Sequence, residues 1–370
     1  MPDGVSSRDH FCDRNHASSG HPGLVKSYNG LEASSPHPPP TSPTSLNPEL
    51  TLIFATIINM LKTPVTIIGA PLDGAKNLGV DIGPDAFRYT KIVDKLNAAG
   101  LAVSDTGDVK VGERDKLEVG DHRLRYMDEI IRVNQEIAQR ADTAIKNDNK
   151  VVVLGGDHSV CLGAVSGASV ALDGQLGLIY FDAHGDMNTN KTTLTGNIHG
   201  MHLASLMGFG AEPLTKVYGD QTKVAKENLL HIGGSDFDQT ELDLINRENL
   251  RTFTLFDLLS QNLAPALKMI DELAERNSNI WVSLDLDCID RIYAPGAGMP
   301  NAKGLTYREI ATLAKYIGQK CNVVGIDVVE YNPLQDEEHK TAELGIELIA
   351  TLFGKEYSWY TNYMASNKLD

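Results

Sequence analysis

Three ionisable side chains occur at alternate positions within a stretch of five residues. Residues 182–186 read DAHGD, so Asp182, His184 and Asp186 are spaced i, i+2 and i+4. They follow the apolar segment LGLIYF, which is typical of a buried strand. Alternate residues of an extended chain point to the same side, so all three groups share one face. Such groups repel or desolvate one another unless a cation lies among them, although a polar strand end that meets solvent would have the same spacing.

Two further apolar segments end in residues of the same types. Residues 280–287 read IWVSLDLD, and residues 151–158 read VVVLGGDH. Ligands of a parallel α/β sheet bind beyond the carboxyl ends of its strands. Six side chains are therefore predicted to converge at one edge of such a sheet: His158, Asp182, His184, Asp186, Asp285 and Asp287.

This set of ligands indicates the kind of cation. Four carboxylates and two imidazoles, without a thiolate, suit hard or borderline divalent metals such as manganese. Six ligands are too many for one catalytic ion that keeps open positions, so they suit two ions roughly 3.5–4 Å apart with a bridging aspartate. The expected cofactor is two Mn²⁺ ions per subunit.

The segments between these strands predict the fold. Apolar strands alternate with segments that have helical character, which favours an α/β fold, namely a single three-layer α/β/α domain with a mainly parallel sheet. Helices are predicted over residues 123–147, 159–170, 261–276, 306–317 and 340–352.

The domain organisation follows from local composition. Residues 1–60 are rich in Ser, Pro, His and Gly over most of their length, and they are predicted to be a disordered or poorly ordered extension. Residues 50–61 are apolar but too short to span a membrane, and they favour a short packed helix. Residues 61–357 are predicted to form the single domain, and residues 358–370 a C-terminal tail.

The net charge and the cysteines limit which partners and which cellular compartment the sequence favours. The net charge of −16 argues against a nucleic-acid or anionic-membrane partner. The four cysteines form no C-x-x-C pair, and we interpret them as reduced thiols of an intracellular protein. A cytoplasmic location is therefore predicted. Residues 1–60 carry three basic against five acidic residues, so they support mitochondrial targeting only weakly.

Four motifs in chain order resemble those of the ureohydrolase superfamily, and most closely those of the arginase family. They are GGDHS at 155–159, DAHGD at 182–186, SLDLD at 283–287 and VVEYNP at 328–333. The resemblance extends from about Thr63 to about Leu352. It implies an amidinohydrolase of arginine metabolism and the urea cycle, which hydrolyses L-arginine to L-ornithine and urea by a hydroxide bridging two Mn²⁺ ions.

The resemblance also implies which residues bind the amino-acid end of the substrate. Asn188, Thr195 and Asn197 match positions that hold the α-carboxylate. Asp238 and Glu241 match positions that face the α-amino group, and carboxylates can accept hydrogen bonds from an ammonium. Acidic residues are also favoured at the start of a helix, so these two admit a purely structural interpretation.

Three more residues receive catalytic roles from the same resemblance. Glu330 would bind the guanidinium, and a carboxylate–guanidinium pair can be bidentate. Asp186 would orient the hydroxide, and His199 would move a proton to or from the departing amine. Members of the family assemble as trimers or hexamers, so a homotrimer or homohexamer is expected.

Two residues depart from the pattern, and alternatives to the arginase function stay open. Arg291 stands where the family usually has a proline, and Met299 stands where it usually has a threonine beside the guanidinium pocket. One alternative is another ureohydrolase that uses agmatine or a guanidino acid. A less favoured alternative is an inactive arginase-like subunit, against which the complete ligand set argues.

Overall fold

Eight parallel strands form one sheet at the centre of the molecule. The computed structural model describes residues 62–74 and 78–356, so the predictions for residues 1–60 and 358–370 lie outside the described residues. The strands are β1 (Thr63–Ala70), β2 (Leu101–Asp108), β3 (Lys150–Gly155), β4 (Gly177–Phe181), β5 (Leu229–Ile232), β6 (Thr252–Phe253), β7 (Ile280–Asp285) and β8 (Val323–Val329). Their order across the sheet is β2-β1-β3-β8-β7-β4-β5-β6, and every neighbouring pair is parallel.

The α-helices connect these strands in chain order. They are α1 (Gly83–Tyr89), α2 (Ile92–Ala98), α3 (Met127–Lys146), α4 (Cys161–Ala171), α5 (His202–Leu206), α6 (Glu212–Thr215), α7 (Gln239–Glu248), α8 (Leu255–Gln261), α9 (Ala264–Arg276), α10 (Tyr307–Lys320) and α11 (Lys340–Leu352). The helix predicted over 261–276 is α9, which begins at Ala264; Gln261 instead ends the preceding helix α8, at Asn262 with φ 58°. None of the helices in the described part of the chain combines the length and apolar character needed to cross a membrane.

The core has two halves, one on each face of the sheet. Val152 and Leu154 of β3 pack with α1, α2 and α8 to α11 on one face. Val151 and Val153 of the same strand pack with α3, α4, α5 and α7 on the other face. Alternate residues of a strand point to opposite faces, so a strand buried on both sides is apolar at every position. The prediction of a three-layer α/β/α domain with a parallel sheet is confirmed.

The strand order places the predicted ligands together. Strands β3, β8, β7 and β4 are adjacent in the middle of the sheet. Because they run in the same direction, their carboxyl ends meet at one edge. His158 follows β3, Asp182 follows β4, Asp285 ends β7 and Glu330 follows β8. The crossing of the chain from β4 out to β6 and back to β7 is what makes these distant segments neighbours.

A close helix contact supports the segment that carries His158. Helix α4 begins three residues after His158, and it lies against α3 at two glycines spaced four residues apart. A Cβ on Gly163 would lie 2.4 Å from the backbone oxygen of Asn134, and one on Gly167 would lie 2.3 Å from that of Ala138. Asn134 is fully buried, and its Oδ1 accepts a hydrogen bond from the Gly163 N–H at 2.5 Å. Only glycine therefore allows this approach of the two helices.

Gly163→Ala is expected to lower the free energy of unfolding by about 1–3 kcal/mol, because overpacking a close contact costs that much. Urea unfolding followed by circular dichroism would measure the shift in midpoint. Ser166→Ala in the same helix is the matched control, since the buried Ser166 hydroxyl has no hydrogen-bond partner among residues 62–74 and 78–356. Equal midpoints for the two variants would contradict the role given to this contact.

Candidate metal centre and substrate cavity

His158 presents one ring nitrogen to three carboxylates. It follows β3 in a short 3-10 turn and is 1% exposed. Its Nδ1 lies 2.9 Å from Asp182 Oδ2, 3.1 Å from Asp285 Oδ2 and 3.4 Å from Asp186 Oδ2. The chain reaches this position through Gly156, where a Cβ would lie 2.0 Å from the backbone oxygen of Leu72. A residue with a side chain at 156 would therefore displace His158.

A chain of hydrogen bonds determines which nitrogen of His158 carries the proton. The His158 Nε2 lies 2.8 Å from Ser283 Oγ, and the Ser283 hydroxyl donates to Asp327 Oδ2 at 2.6 Å. Since the serine proton is used on Asp327, Ser283 Oγ accepts from Nε2–H. Trp281 Nε1 donates to the other Asp327 oxygen at 2.5 Å. The Nδ1 lone pair of a neutral His158 is thereby left facing the carboxylates, as a metal ligand requires.

His184 forms a second group of ligands on the other side of Asp182. Its Nδ1 lies 3.0 Å from Asp287 Oδ2 and 3.4 Å from Asp182 Oδ1. Backbone N–H groups hold the carboxylates, since His184 N donates to Asp182 Oδ1 at 2.7 Å and Ala183 N donates to Asp287 Oδ1 at 3.2 Å. Two triads that could hold a metal ion result, and they share Asp182: His158–Asp182–Asp285 and Asp182–His184–Asp287.

The candidate ligands fit a pair of cations, because too few hydrogen atoms are available to lie between their acceptor atoms. Asp182 is fully buried, and its Oδ2 makes no hydrogen bond within the described residues. The atoms that surround it are carboxylate oxygens and the lone pair of His158. Buried acceptors that face one another at about 3 Å are costly without a cation or protons between them. Oxygen and imidazole ligands without a thiolate match manganese and similar divalent ions.

The pKa values of the carboxylates follow the same logic. Burial raises the pKa of Asp186 and Asp285 well above the usual value, and neighbouring carboxylates raise it further. Burial and the charge of Asp182 raise the pKa of Asp287. Burial also opposes ionisation of Asp182. In the absence of metal, the carboxylates raise the pKa values of His158 and His184 despite burial, and the protonated imidazoles hold the pKa of Asp182 well below its usual value. Without metal ions, the raised pKa values of Asp186, Asp285 and Asp287 oppose ionisation of these three carboxylates. Bound cations would lower those pKa values.

Two site residues adopt a left-handed backbone conformation. Asp186 has φ 52° and Glu330 has φ 58°. Non-glycine residues in this region are uncommon and cluster at functional sites. Gly298 N donates to the Glu330 backbone oxygen at 2.6 Å, and His158 N donates to Glu330 Oε1 at 3.1 Å. These contacts hold the Glu330 carboxylate beside His158 and the triad to which His158 belongs.

The predicted residues meet in one cavity of about 420 Å³. Only Asp182 and Asn188 of the predicted site residues do not line it, Asp182 because it is fully buried. The lining residues are His158, His184, Asp186, Thr195, Asn197, His199, Gly200, Asp236, Asp238, Glu241, Asp285, Asp287, Met299 and Glu330.

The end of the cavity away from the triads is organised around Asp238. Asn188 Nδ2 donates to Asp238 Oδ2 at 2.6 Å, so the Asn188 side chain orients an acid that lines the cavity. Asp238 caps α7 and forms a capping box with Glu241. Burial raises the pKa of Asp238, but the hydrogen bond from Asn188 and backbone N–H groups outweigh burial and lower it. Glu241 is 6% exposed and also accepts from Met187 N at 3.2 Å.

His199 belongs to the loop of residues 187–200, here called the recognition loop, and lies near Glu330. Its Nδ1 is 3.9 Å from Glu330 Oε1, and burial lowers its pKa. A neutral imidazole in this position can accept a proton and release it, which proton transfer requires.

The two departures from the family pattern have different surroundings. Arg291 is exposed and lies outside the cavity lining. Met299 is 50% exposed and lines the cavity. It also lines a neighbouring cavity of about 340 Å³ together with His184 and Asp236. Of the two departures, Met299 is thus the one in contact with the site.

Several residues of the site were not predicted from the sequence. Ser283 and Tyr180 each precede a predicted ligand by two positions on the same strand, so the alternation of the strand could have found them. Asp236 and His202 lack such a signal, because they reach the site only through the fold.

Comparisons with known proteins agree with this geometry. The model of the arginase family matches residues 63–354. The arginase of Bacillus caldovelox is 36% identical over 296 residues, covering 79% of this chain and 99% of that protein. The arginase of Staphylococcus aureus strain MRSA252 is 38% identical over 299 residues, covering 80% and 98%. The solved structure of the Bacillus caldovelox enzyme has a TM-score of 0.75 at 34% identity, covering 80% of this chain and 100% of that chain.

Proposed function

Because the chain belongs to the arginase family, we propose that it hydrolyses L-arginine to L-ornithine and urea in the cavity at the carboxyl edge of its sheet. The observation that carries this proposal is the pair of ligand triads that share the buried Asp182 at that cavity. A protein without metal-dependent chemistry has no use for such a concentration of buried acceptors.

The proposed cofactor is a pair of Mn²⁺ ions. His158, Asp182, Asp186 and Asp285 would hold one ion, and His184, Asp182 and Asp287 would hold the other, with Asp182 shared. When bound, two such ions supply Lewis acidity and lower the pKa of a water molecule from about 15.7 toward 7. The hydrogen bond from Ser283 to Asp327 supports this arrangement, because it keeps the lone pair of His158 Nδ1 available.

The reacting end of the substrate would lie against Glu330. This carboxylate is 4% exposed, so a guanidinium that pairs with it is shielded from water, and the pair gains strength from that. Asp186 orients the attacking water, and His199, which is near Glu330, moves a proton to the departing amine. The products are urea and L-ornithine, whose side-chain amine is the departing group.

The amino-acid end of the substrate would lie against the recognition loop and α7. Thr195 and Asn197 line the cavity and offer donors to the α-carboxylate. Asp238 faces the α-amino group, and Asn188 orients Asp238. Glu241 supports Asp238 through the capping box and adds a second negative charge nearby.

Urea release from purified, Mn²⁺-loaded protein tests the proposal, with L-arginine and agmatine supplied side by side. We expect urea from L-arginine and little from agmatine, because agmatine lacks the α-carboxylate that the recognition loop would bind. Urea from agmatine instead would overturn the roles given to Thr195 and Asn197. Urea from a guanidino acid without an α-amino group would overturn the role given to Asp238. Two bound metals without urea from any guanidine would favour the inactive-subunit alternative.

Met299→Thr is expected to lower the KM for L-arginine roughly tenfold and to change kcat little. A threonine hydroxyl can accept a hydrogen bond from a charged guanidinium, and such bonds contribute about 1.5–3 kcal/mol, whereas the thioether of Met299 is a weak acceptor. Steady-state kinetics of urea formation would measure the change. Met299→Leu is the matched control, because it keeps the apolar volume and adds no hydroxyl. An unchanged or higher KM in Met299→Thr would count against contact between this position and the guanidinium.

The assembly and the limits of the domain complete the proposal. A homotrimer or homohexamer agrees with the family resemblance, and sedimentation would distinguish the two. Residues 61–357 are proposed as the ureohydrolase domain, in agreement with the family match over residues 63–354.

A further inference from the structure

The hydroxyl of Tyr180 lies beside two of the side chains proposed to hold one ion, His158 and Asp186. Tyr180 is fully buried, and its hydroxyl donates to Asp186 Oδ2 at 2.7 Å. The Tyr180 hydroxyl oxygen is also 3.1 Å from His158 Nδ1 and 3.1 Å from His202 Nε2. The Tyr180 ring also stacks on the His158 ring, with centroids 4.8 Å apart and an interplanar angle of 3°. One side chain therefore touches two candidate ligands of the same ion.

His202 supports Tyr180 from the side away from the ligands. It is fully buried, and its Nδ1 lies 2.6 Å from the backbone oxygen of His199. A carbonyl oxygen only accepts hydrogen bonds, so Nδ1 carries the proton. The Nε2 of a neutral His202 then presents a lone pair to the Tyr180 hydroxyl. His202 in turn is anchored to the segment that carries His199.

The Tyr180 hydroxyl has one proton and more than one acceptor. The shorter distance assigns this proton to Asp186 Oδ2. A cation at this site would use the single lone pair of His158 Nδ1, but a carboxylate oxygen has a second lone pair, so Asp186 Oδ2 can still accept the Tyr180 proton. His202 Nε2 is the other acceptor within reach of that proton. The hydroxyl thus has a hydrogen-bond acceptor with and without the ion, which keeps a buried polar group satisfied in both states.

We propose that Tyr180 and His202 are positioning residues for one of the two metal ions. The Tyr180 hydroxyl holds the carboxylate of Asp186 beside His158. The buried His202 ring packs against Tyr180, with centroids 5.8 Å apart and Nε2 3.1 Å from the hydroxyl oxygen, and so fixes where the hydroxyl lies. The pair thereby determines the affinity for the ion at His158, and it leaves the ion at His184 unaffected. This inference rests on the metal centre of the proposed function and adds two residues to it.

Tyr180→Phe tests the inference, because it removes the hydroxyl and keeps the ring that stacks on His158. Calorimetric titration of metal-free protein with MnCl₂, together with metal counting after desalting, would be compared with the unchanged chain. We expect one of the two Mn²⁺ sites to weaken by about 10- to 100-fold, as loss of a hydrogen bond to a metal ligand typically does. The other site keeps its affinity, and urea release recovers when Mn²⁺ is in large excess.

A matched control and a second variant separate this role from general loss of structure. Tyr316→Phe removes another hydroxyl that binds a carboxylate, since Tyr316 donates to Asp271 at 2.8 Å between α10 and α9. It should leave both Mn²⁺ affinities unchanged. His202→Leu should weaken the same single site as Tyr180→Phe, and the double variant should lose little more than Tyr180→Phe alone, because His202 acts only through the position of the Tyr180 hydroxyl.

The outcomes distinguish this inference from the proposed function. Unchanged affinity at both sites in Tyr180→Phe and in His202→Leu would overturn it, even if L-arginine is hydrolysed. Equal weakening of both sites would also overturn it. If Tyr180→Phe does not fold, the titration of His202→Leu decides alone. Selective loss of one site in a chain that releases no urea would support the inference while the proposed function fails.

Discussion

Replacing Asp182 with asparagine is expected to remove both metal ions and to reduce urea formation by about four orders of magnitude or more. Asp182 is the residue common to the two triads, and each of its oxygens faces a different histidine. An asparagine at this position has one oxygen and a donor group in place of the second oxygen. Its N–H₂ would point at a lone pair of His158 or at the ion itself. Losses of this size are on the order of those measured when a principal catalytic group is removed.

Metal content after desalting and urea release from L-arginine would be measured on the same preparation of Asp182→Asn. Asp142→Asn is the matched control, since Asp142 is also buried but binds Tyr218 and Lys146 away from the triads. It should retain both ions and near-complete activity. Two ions retained in Asp182→Asn would rule out the bridging role, and one retained ion would assign Asp182 to a single site.

Glu330→Gln is expected to lower kcat/KM for L-arginine by roughly 10²- to 10³-fold while both metal ions remain bound. Removing one charge of a buried ion pair costs about 2–5 kcal/mol, and each 1.36 kcal/mol corresponds to a tenfold change. Glu330 Oε1 accepts a hydrogen bond from His158 N, and the amide oxygen of glutamine can accept the same bond. The backbone around His158 should therefore keep its position. The reduction in kcat/KM should come from the lost ion pair with the guanidinium.

Steady-state kinetics and metal counting would separate these two effects in Glu330→Gln. Glu338→Gln is a suitable control, because Glu338 is exposed and has the same left-handed backbone conformation, with φ 50°. It should leave kcat/KM unchanged. An unchanged kcat/KM in Glu330→Gln would show that this residue does not bind the substrate. Loss of metal would show that it supports His158 instead.

The types and spacing of the ligands could be predicted from the sequence because a strand repeats every two residues. DAHGD and SLDLD place their ligands on one face whatever the rest of the chain does. The carboxyl ends of parallel strands share an edge, so apolar segments that end in Asp or His predict a common site. The helix predicted over 340–352 has the same bounds in the structure, and the helix predicted over 123–147 begins at Met127.

Other elements could not be predicted because their signals were weak or misleading. Strand β2 lies at the edge of the sheet and is largely polar and exposed, so it lacks the apolar run that identifies an inner strand. The break at Asn262 falls within a segment of helical character and depends on the backbone conformation of one residue. The hydrogen bond from Asn188 to Asp238 also had no signal in the sequence, because it joins residues 50 positions apart; the predicted contact of Asn188 with the substrate stays a prediction.

The sequence by itself thus determined which groups this protein brings to its chemistry, since local spacing decides which side chains share a face. Only the tertiary structure decided how they combine. The strand order places β8 and β7 between β3 and β4, and this brings His158 of one segment to Asp182 of another. His184 lies near Asp182 through local spacing alone. It also encloses Tyr180, His202 and Ser283 around His158. Contacts between residues far apart in the chain depend on packing, and no local pattern encodes them.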